Sequence, residues 1–213
     1  MTSPIVDLWF PVLGETLPSD HGYLLYSALC EECPELHGAS WWGLHTIPGT
    51  VRGDGRILLQ DRPSMGLRLP ADRIGTVLSL AGKKLRVGNQ SIRCAPPTVR
   101  PLESASAVSA RIVCIKGFME PEEFEGAIRR QLNGFGVDCP VQIGPRKVLQ
   151  IRQHTVVGFS VRISEVDPDQ SLELQRQGLG GRRRFGCGMF SPSKHPLLPE
   201  RQSSKNRDTE MTR

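Results

Sequence analysis

The order of the predicted strands and helices indicates an α+β protein made of two tandem βαββαβ units. Each half of the 213-residue chain opens on an apolar, strand-forming run, and a segment with apolar residues at helical spacing follows each run. A segment rich in Pro, Ser and Ala, residues 96–109, lies between the halves. The sequence therefore predicts two tandem ferredoxin-like domains, residues 1–95 and 110–192, joined by that linker.

The first half begins with a strand over residues 4–13, followed by a helix over residues 21–33. Ser19 or Asp20 is the expected N-cap of this helix, and Pro34 ends it. The remaining elements of this half are a short strand at 42–47, strands at 56–61 and 64–70, a helix at 70–82, and a hairpin at 83–94 that turns at Gly88 and Asn89.

The second half repeats this pattern, with a strand over residues 110–118 and a helix over residues 120–136. A second helix begins after Asp167, the expected N-cap, with Pro168 at its first position. Two strands at 141–153 and 154–164 lie between these helices, a last strand is expected at 185–191, and the polar tail, residues 193–213, is expected to be disordered and basic.

Charge and composition limit the function classes. The net charge of +5 and the pI of about 9.1 are compatible with a polyanionic partner. No apolar run is long enough to span a bilayer, and no basic region precedes the N-terminal apolar run. We therefore expect a cytoplasmic protein whose six scattered cysteines are reduced.

One cysteine pattern allows a different function. Cys30, Cys33 and His37 form a C-x2-C-x3-H run, but a structural zinc site needs four ligands, and no second Cys/His pair follows at matching spacing. A small zinc or redox domain therefore stays as an alternative. The main prediction is a protein without a metal or other cofactor.

The most informative segment is a loop rich in glycine and arginine, GLGGRRRFGCG at residues 178–188. Glycine allows positive φ or close approach of the backbone to a partner, and arginine offers several donors to phosphate in a planar fork. Between a helix and a strand, such a loop is suited to binding a phosphodiester backbone. The residues expected to bind RNA are Gly178, Gly180, Gly181, Arg182, Arg183, Arg184, Gly186 and Gly188.

This glycine pattern, placed at the end of two ferredoxin-like units, resembles the CRISPR-associated endoribonucleases that cut precursor CRISPR RNA within each repeat (Cas family six, compact branch). The resemblance also covers the N-terminal strand and residues 17–29, and it spans most of residues 4–192. It implies metal-independent cleavage by the 2′-hydroxyl, leaving a 2′,3′-cyclic phosphate and a 5′-hydroxyl. It also implies CRISPR repeat RNA and effector-complex subunits as partners.

The resemblance places the catalytic histidine near the first helix, where the chain has His21, His37 and His45. Histidine exchanges a proton near neutral pH, which this reaction requires. His37 is the first choice, because its P-x-L-H context is similar to the family's catalytic position after that helix. His21 is the second, because the helix N-terminus would lower its pKa and attract phosphate. His154 and His195 are expected to lie at the surface.

Other side chains complete the expected site. Tyr23 is a third catalytic candidate, since a tyrosine positions a phosphate in some members of the family. No lysine precedes Lys83, so the expected cation is Arg52, Arg56 or another residue. Candidates for docking a repeat stem–loop are Arg129, Arg130, Arg146, Lys147 and Arg152. The main alternative function is a non-catalytic RNA-binding subunit, which would use the same loop without any histidine.

Overall fold

The N-terminal half of the protein is a sheet covered by one long helix. The structure, a computed structural model, describes residues 3–193. Strands and helices of this half are β1 (Ile5–Leu13), β2 (Thr16–Pro18), α1 (Gly22–Glu32), β3 (Gly43–His45), β4 (Gly49–Val51), β5 (Arg56–Leu59), β6 (Ser64–Pro70), α2 (Ile74–Val77), β7 (Lys84–Val87), β8 (Gln90–Cys94) and β9 (Thr98–Pro101).

The main sheet of this half has the order β3-β6-β1-β8-β7, with β9 also paired to β1, and all its pairs are antiparallel. A second, three-stranded sheet has the order β2-β5-β4. The apolar face of α1, including Leu25 and Leu29, packs in one core with Leu8, Phe10 and Leu67 of the main sheet. Burial of these side chains is the main force that holds α1 against the sheet.

The C-terminal half is a four-stranded antiparallel sheet with two helices. Its elements are β10 (Ala107–Val113), α3 (Pro121–Gly134), β11 (Val141–Ile151), β12 (His154–Ser164), α4 (Pro168–Gln177) and β13 (Phe190–Pro192). The strand order is β11-β12-β10-β13. A separate core around Phe124, Ile128, Phe159 and Val161 joins α3 to this sheet.

Both halves have the strand order of a ferredoxin-like domain, so the predicted fold class is confirmed. In each, the first strand lies between the third and fourth strands of the βαββαβ pattern, which are β6 and β8 in the first half and β12 and β13 in the second. Strand β9 and the start of β10 lie inside the predicted linker, residues 96–109. The exact domain boundaries stay a prediction.

Three local predictions need correction. The helix expected at 70–82 is only one turn long, α2, with 3₁₀ turns on both sides. The last strand begins at Phe190, because residues 183–185 form a 3₁₀ turn. Neither Ser19 nor Asp20 caps α1: the residue at the cap is His21, and the Asp20 carboxylate accepts a hydrogen bond from the backbone N–H of Gln150.

Other local predictions are confirmed. Asp167 caps α4 in a capping box with Gln170, and Pro168 is the first residue of the helix. The β7–β8 hairpin turns at Gly88 and Asn89 as expected. None of the helices within residues 3–193 combines the length and the apolar character needed to cross a bilayer.

Candidate RNA interface and active site

A row of aromatic rings extends along one face of α1. Tyr23 and Tyr26 are three residues apart, which places them on the same face of the helix, with ring centroids 6.2 Å apart. After α1, the 3₁₀ turn Pro34–Leu36 brings the exposed His37 beside Tyr26, with 6.3 Å between the ring centroids. The row therefore ends in a solvent-accessible imidazole.

The glycine-rich loop packs directly on this row. The ring of Phe185 meets Tyr26 edge-on at 4.9 Å and Tyr23 at 5.6 Å between centroids. Gly22, the first residue of α1, permits this contact, because a Cβ there would lie 2.4 Å from the carbonyl oxygen of Phe185. The Arg184 guanidinium lies 5.8 Å from the centroid of Tyr26. The loop therefore places a cation beside the ring that neighbours His37.

The backbone at the two ends of the loop comes so close together that glycine is required there. Gly178 and Gly188 have φ values of 70° and 65°, and a Cβ on Gly178 would lie 2.2 Å from the Gly188 carbonyl oxygen. The N–H groups of Gly181 and Gly188 donate to the carbonyls of Cys114 and Ile112, at the end of β10. The shape of the loop thus has a structural cause, while its contact with RNA stays a prediction.

The three consecutive arginines point in different directions. Arg182 is exposed at a left-handed backbone position, and Arg184 lies over Tyr26. Arg183 turns inward: its Nε is buried and has no hydrogen-bond partner among the described residues, and burial lowers its pKa to about 10. Only Arg182 and Arg184 are therefore placed to meet a phosphate on the outer side of the loop.

His21 is placed very differently from His37. Its ring is buried, Nδ1 donates to the carbonyl of Pro18 at 2.9 Å, and Nε2 accepts from the backbone N–H of Ile47 at 3.2 Å. Burial lowers the pKa of His21 to about 4. Both nitrogens of a neutral ring are thus already occupied, and we do not carry His21 into the proposed mechanism.

The remaining histidines lie away from the aromatic row. His45, on β3, stacks on Trp9, and its Nε2 lies 3.4 Å from the Asp7 carboxylate, while burial lowers its pKa. His154 is exposed at the start of β12. His195 and the predicted tail beyond it lie outside the described residues.

Tyr23 has a cationic partner from the other domain. Its hydroxyl accepts a hydrogen bond of 2.9 Å from the Nε of Arg152, which lowers the pKa of that hydroxyl. Arg152 lies at the turn between β11 and β12, in the left-handed region with a φ of 56°. The sequence indicates Arg152 only as one of five candidates for docking a repeat stem–loop, because its contact with α1 depends on the fold, which brings the β11–β12 turn to that helix.

The other expected cations are placed elsewhere. Arg56 lies on β5, in the three-stranded sheet, and its Nε pairs with the Asp54 carboxylate at 2.9 Å. Arg52 follows β4 in the same sheet, and both arginines are exposed. Arg152 and Arg184, in contrast, contact Tyr23 and Tyr26 of the aromatic row.

A cleft between the two domains begins beside the loop. Its volume is about 280 Å³, and its lining includes Trp9 and His45 from the first domain, Ser109 and Arg111 from the second, and Gly186 from the loop. The lining combines an aromatic ring, hydroxyl groups and a guanidinium, which are groups that bind bases and phosphates.

The cysteine–histidine pattern does not form a metal site. Within residues 3–193, no three His, Cys, Asp or Glu side chains are grouped closely enough to hold an ion. The Cys33 thiol is buried and donates to the carbonyl of Thr76, and burial raises the pKa of both Cys30 and Cys33. The zinc or redox alternative thus lacks a ligand set in the described part of the chain.

Comparison with known proteins agrees with the resemblance. The family model described as "Cas6 Crispr" matches residues 6–195. A curated relative, the CRISPR-associated endonuclease Cas6 of Myxococcus xanthus (strain DK1622), is 36% identical over 187 residues, covering 88% of this chain and 81% of the relative.

Solved structures share the fold at low sequence identity. One titled "CRISPR associated protein Cas6" matches with a TM-score of 0.62 and 12% identity, over 89% of this chain and 100% of that one. A Cas6-related protein from Pyrococcus furiosus matches with a TM-score of 0.65 and 14% identity, over 90% of this chain and 100% of that one. Since the family model covers most of the chain and the curated relative covers 88% of it, the protein belongs to the Cas6 family of CRISPR-associated endonucleases.

Proposed function

We propose that this protein is an endoribonuclease that cleaves precursor CRISPR RNA within its repeats, with no metal ion in the chemical step. The observation that carries this proposal is the exposed His37, which lies beside Tyr26, the ring that the Arg184 guanidinium of the glycine-rich loop also contacts. The curated relative is named an endonuclease, and the structural relative with a TM-score of 0.66 is titled as binding different RNA substrates.

The proposed reaction is an in-line transesterification. The 2′-oxygen upstream of the scissile phosphate attacks phosphorus, the bond from phosphorus to the 5′-oxygen breaks, and the products end in a 2′,3′-cyclic phosphate and a 5′-hydroxyl. His37 accepts the proton of the 2′-hydroxyl or donates one to the leaving 5′-oxygen, and water carries the other of these two proton transfers. Either proton transfer needs an accessible imidazole, which His37 supplies and the buried His21 does not.

Several arginines and one tyrosine complete the proposed site. Arg184, which lies over the Tyr26 ring, is proposed to stabilise the additional negative charge on the phosphate oxygens in the transition state. Tyr23, held by the hydrogen bond from Arg152, is proposed to position the phosphate. The loop backbone with Arg182, and the cleft lined by Arg111, would hold the RNA on either side.

The test is cleavage of repeat RNA by the wild-type protein in EDTA, with a 2′-deoxy substitution at the cut site as the matched control. We expect cleavage of the all-RNA substrate, no cleavage of the deoxy substrate, and a product end that resists phosphatase until acid opens the cyclic phosphate. Dependence on a divalent cation would overturn the proposed mechanism. Tight binding without cleavage would favour the non-catalytic RNA-binding subunit instead.

We also propose that the protein retains its product and carries it into an effector complex with other CRISPR subunits. The basic charge of the chain and the paired surfaces of loop and cleft support a stable complex with RNA. Gel filtration after complete cleavage tests this point. Co-elution of protein with the stem-loop product is expected, and turnover of many substrate molecules per protein would contradict it.

A further inference from the structure

A buried ion pair lies at the junction of the two domains, below the glycine-rich loop. Asp7 of β1 and Arg68 of β6 face each other across the antiparallel pair, and Arg68 is only 1% exposed. The Nε and Nη2 atoms of Arg68 each donate to one oxygen of Asp7, both at 2.8 Å. These bonds hold the guanidinium in a single orientation within the first domain.

The remaining nitrogen of Arg68 reaches the second domain. Its Nη1 donates to the carbonyl of Gln175 at 2.7 Å and to the carbonyl of Phe190 at 2.6 Å. Gln175 lies in the last turn of α4, just before the loop, and Phe190 is the first residue of β13, just after it. One nitrogen atom thus bonds both ends of the glycine-rich loop, residues 178–188, to the first domain.

A side chain of the loop itself faces the same ion pair. The buried Nε of Arg183 has no hydrogen-bond partner within residues 3–193, and the charges of Arg68 and Asp7 shift the Arg183 pKa in opposite directions. His45, next to the Asp7 carboxylate, is the third group around it. One carboxylate therefore faces two guanidinium groups. Burial of these charges costs desolvation free energy, and their hydrogen bonds require a more exact geometry than an apolar contact does.

We propose that Arg68 is a positioning residue for the glycine-rich loop. By fixing both ends of the loop on the first domain, Arg68 sets the distance between the loop and α1, and with it the place of Arg184 over Tyr26. Its effect on cleavage rests on the proposed function, while its effect on the loop does not. An apolar side chain of similar volume would fill the space but would leave both carbonyls without a donor.

The first arm of the test measures the loop without reference to activity. Hydrogen exchange of the backbone is compared between residues 178–190 and α3, in wild type, in Arg68→Lys and in the double variant Asp7→Asn/Arg68→Met. The double variant removes the two opposite charges of the pair together, so the net buried charge, to which Arg183 also contributes, does not change. Arg86→Met is the matched control, because Arg86 is exposed on β7 of the same domain.

We expect the loop to exchange about 10-fold faster or more in both Arg68 variants, with α3 unchanged, and no change in Arg86→Met. Unchanged protection of the loop would overturn the proposal. Equal loss of protection in the loop and in α3 would also overturn it, because Arg68 would then act on the stability of the whole fold.

The second arm measures single-turnover cleavage and the affinity for 2′-deoxy repeat RNA in the same variants. We expect the rate at saturating protein to fall about 10-fold or more in the double variant, and Arg68→Lys, which keeps the charge, to recover part of this loss. Wild-type rates in the double variant would refute the link to the active site. If the wild type does not cleave at all, the proposed function fails, and the exchange data still decide the role of Arg68.

Discussion

The two ends of α1 each carry a histidine, and the surroundings of the two rings differ in every respect that matters for chemistry. His21 precedes the helix, is buried, and uses both nitrogens in hydrogen bonds to the backbone of Pro18 and Ile47. His37 follows the 3₁₀ turn after the helix, is exposed, and neighbours Tyr26.

This difference shows why residue type and position along the chain do not assign a catalytic histidine by themselves. A general base needs a free lone pair and access to substrate, and a general acid needs a proton that it can release. His21 uses Nε2 to accept from Ile47, in the segment that leads from β3 to β4, and Nδ1 to donate to Pro18 at the end of β2. His37 is exposed, so a substrate can reach its ring.

The largest effect that we expect is the loss of cleavage in His37→Ala. Removal of a general acid–base group lowers the single-turnover rate by about 10² to 10⁴. Affinity for 2′-deoxy repeat RNA is expected to change little, and the free energy of unfolding by no more than about 0.5 kcal/mol, because the side chain is exposed. Rates are measured with the protein in excess over labelled RNA.

The matched control for this variant is His154→Ala, which removes an equally exposed imidazole from β12. It is expected to cleave at the wild-type rate. Equal losses of cleavage rate in both variants would mean that His37 has no special role. A wild-type rate in His37→Ala would contradict the assignment of the catalytic histidine to the C-terminal end of α1.

The second prediction is that His21 makes the free energy of unfolding depend on pH. Its pKa in the folded protein, about 4, is below the ordinary value of 6.5, so the unfolded state binds more protons between these values. The contribution of His21 to the free energy of unfolding is fully present above pH 6.5. It is lost as the pH falls toward about 4, which lowers the free energy of unfolding by about 3 kcal/mol. Urea unfolding at several pH values measures it, and His21→Gln should lose the pH-dependent part.

The third prediction concerns the contact between α1 and the loop. In Gly22→Ala, the new Cβ would lie 2.4 Å from a backbone oxygen of the loop, which cannot rotate away. We expect a loss of about 1–3 kcal/mol of stability, with slower cleavage because Arg184 moves with the loop. The control is Gly75→Ala, since a Cβ at this position of α2 meets nothing within 4 Å, and it should be neutral or stabilising.

The smallest expected effect separates two adjacent arginines. Arg184→Gln should reduce the slope of log affinity against log salt by about 0.7–0.9 if this side chain neutralises one phosphate. Arg183→Gln should leave the slope unchanged and instead alter the melting temperature, because its Nε lies buried near the Asp7–Arg68 pair. Identical slopes for both variants would contradict the assignment.

The βαββαβ order of the main strands and helices was predictable from the sequence, because these elements have clear periodicity and the α4 cap uses a strong local signal, Asp167 followed by Pro168. The short strands β2, β4 and β9 were not predicted. The length of the helix predicted at 70–82 was wrong. The apolar pattern runs through the whole segment, but the fold divides it into α2 and two 3₁₀ turns. Such boundaries depend on packing, which local sequence does not encode.

The candidate site was predictable only in part. Local context makes His37 and the loop glycines candidates, because both lie in short motifs, and their roles stay predictions. The pairing of Tyr23 with Arg152 and of Asp7 with Arg68 joins residues 129 and 61 positions apart, and nothing in one sequence links them. In the sequence, Asp7 is a charged residue within an apolar strand, which is a signal for a buried and paired carboxylate but does not name its partner.

The most direct test of the central claim is chemical rescue of His37→Ala by free imidazole in the single-turnover cleavage assay. Since His37 is exposed, imidazole from solution can enter the space that the side chain leaves. We predict that cleavage at the native site rises with imidazole concentration and that a 2′-deoxy substrate stays uncut. Wild-type cleavage by His37→Ala in the absence of imidazole would contradict the assignment of the catalytic histidine.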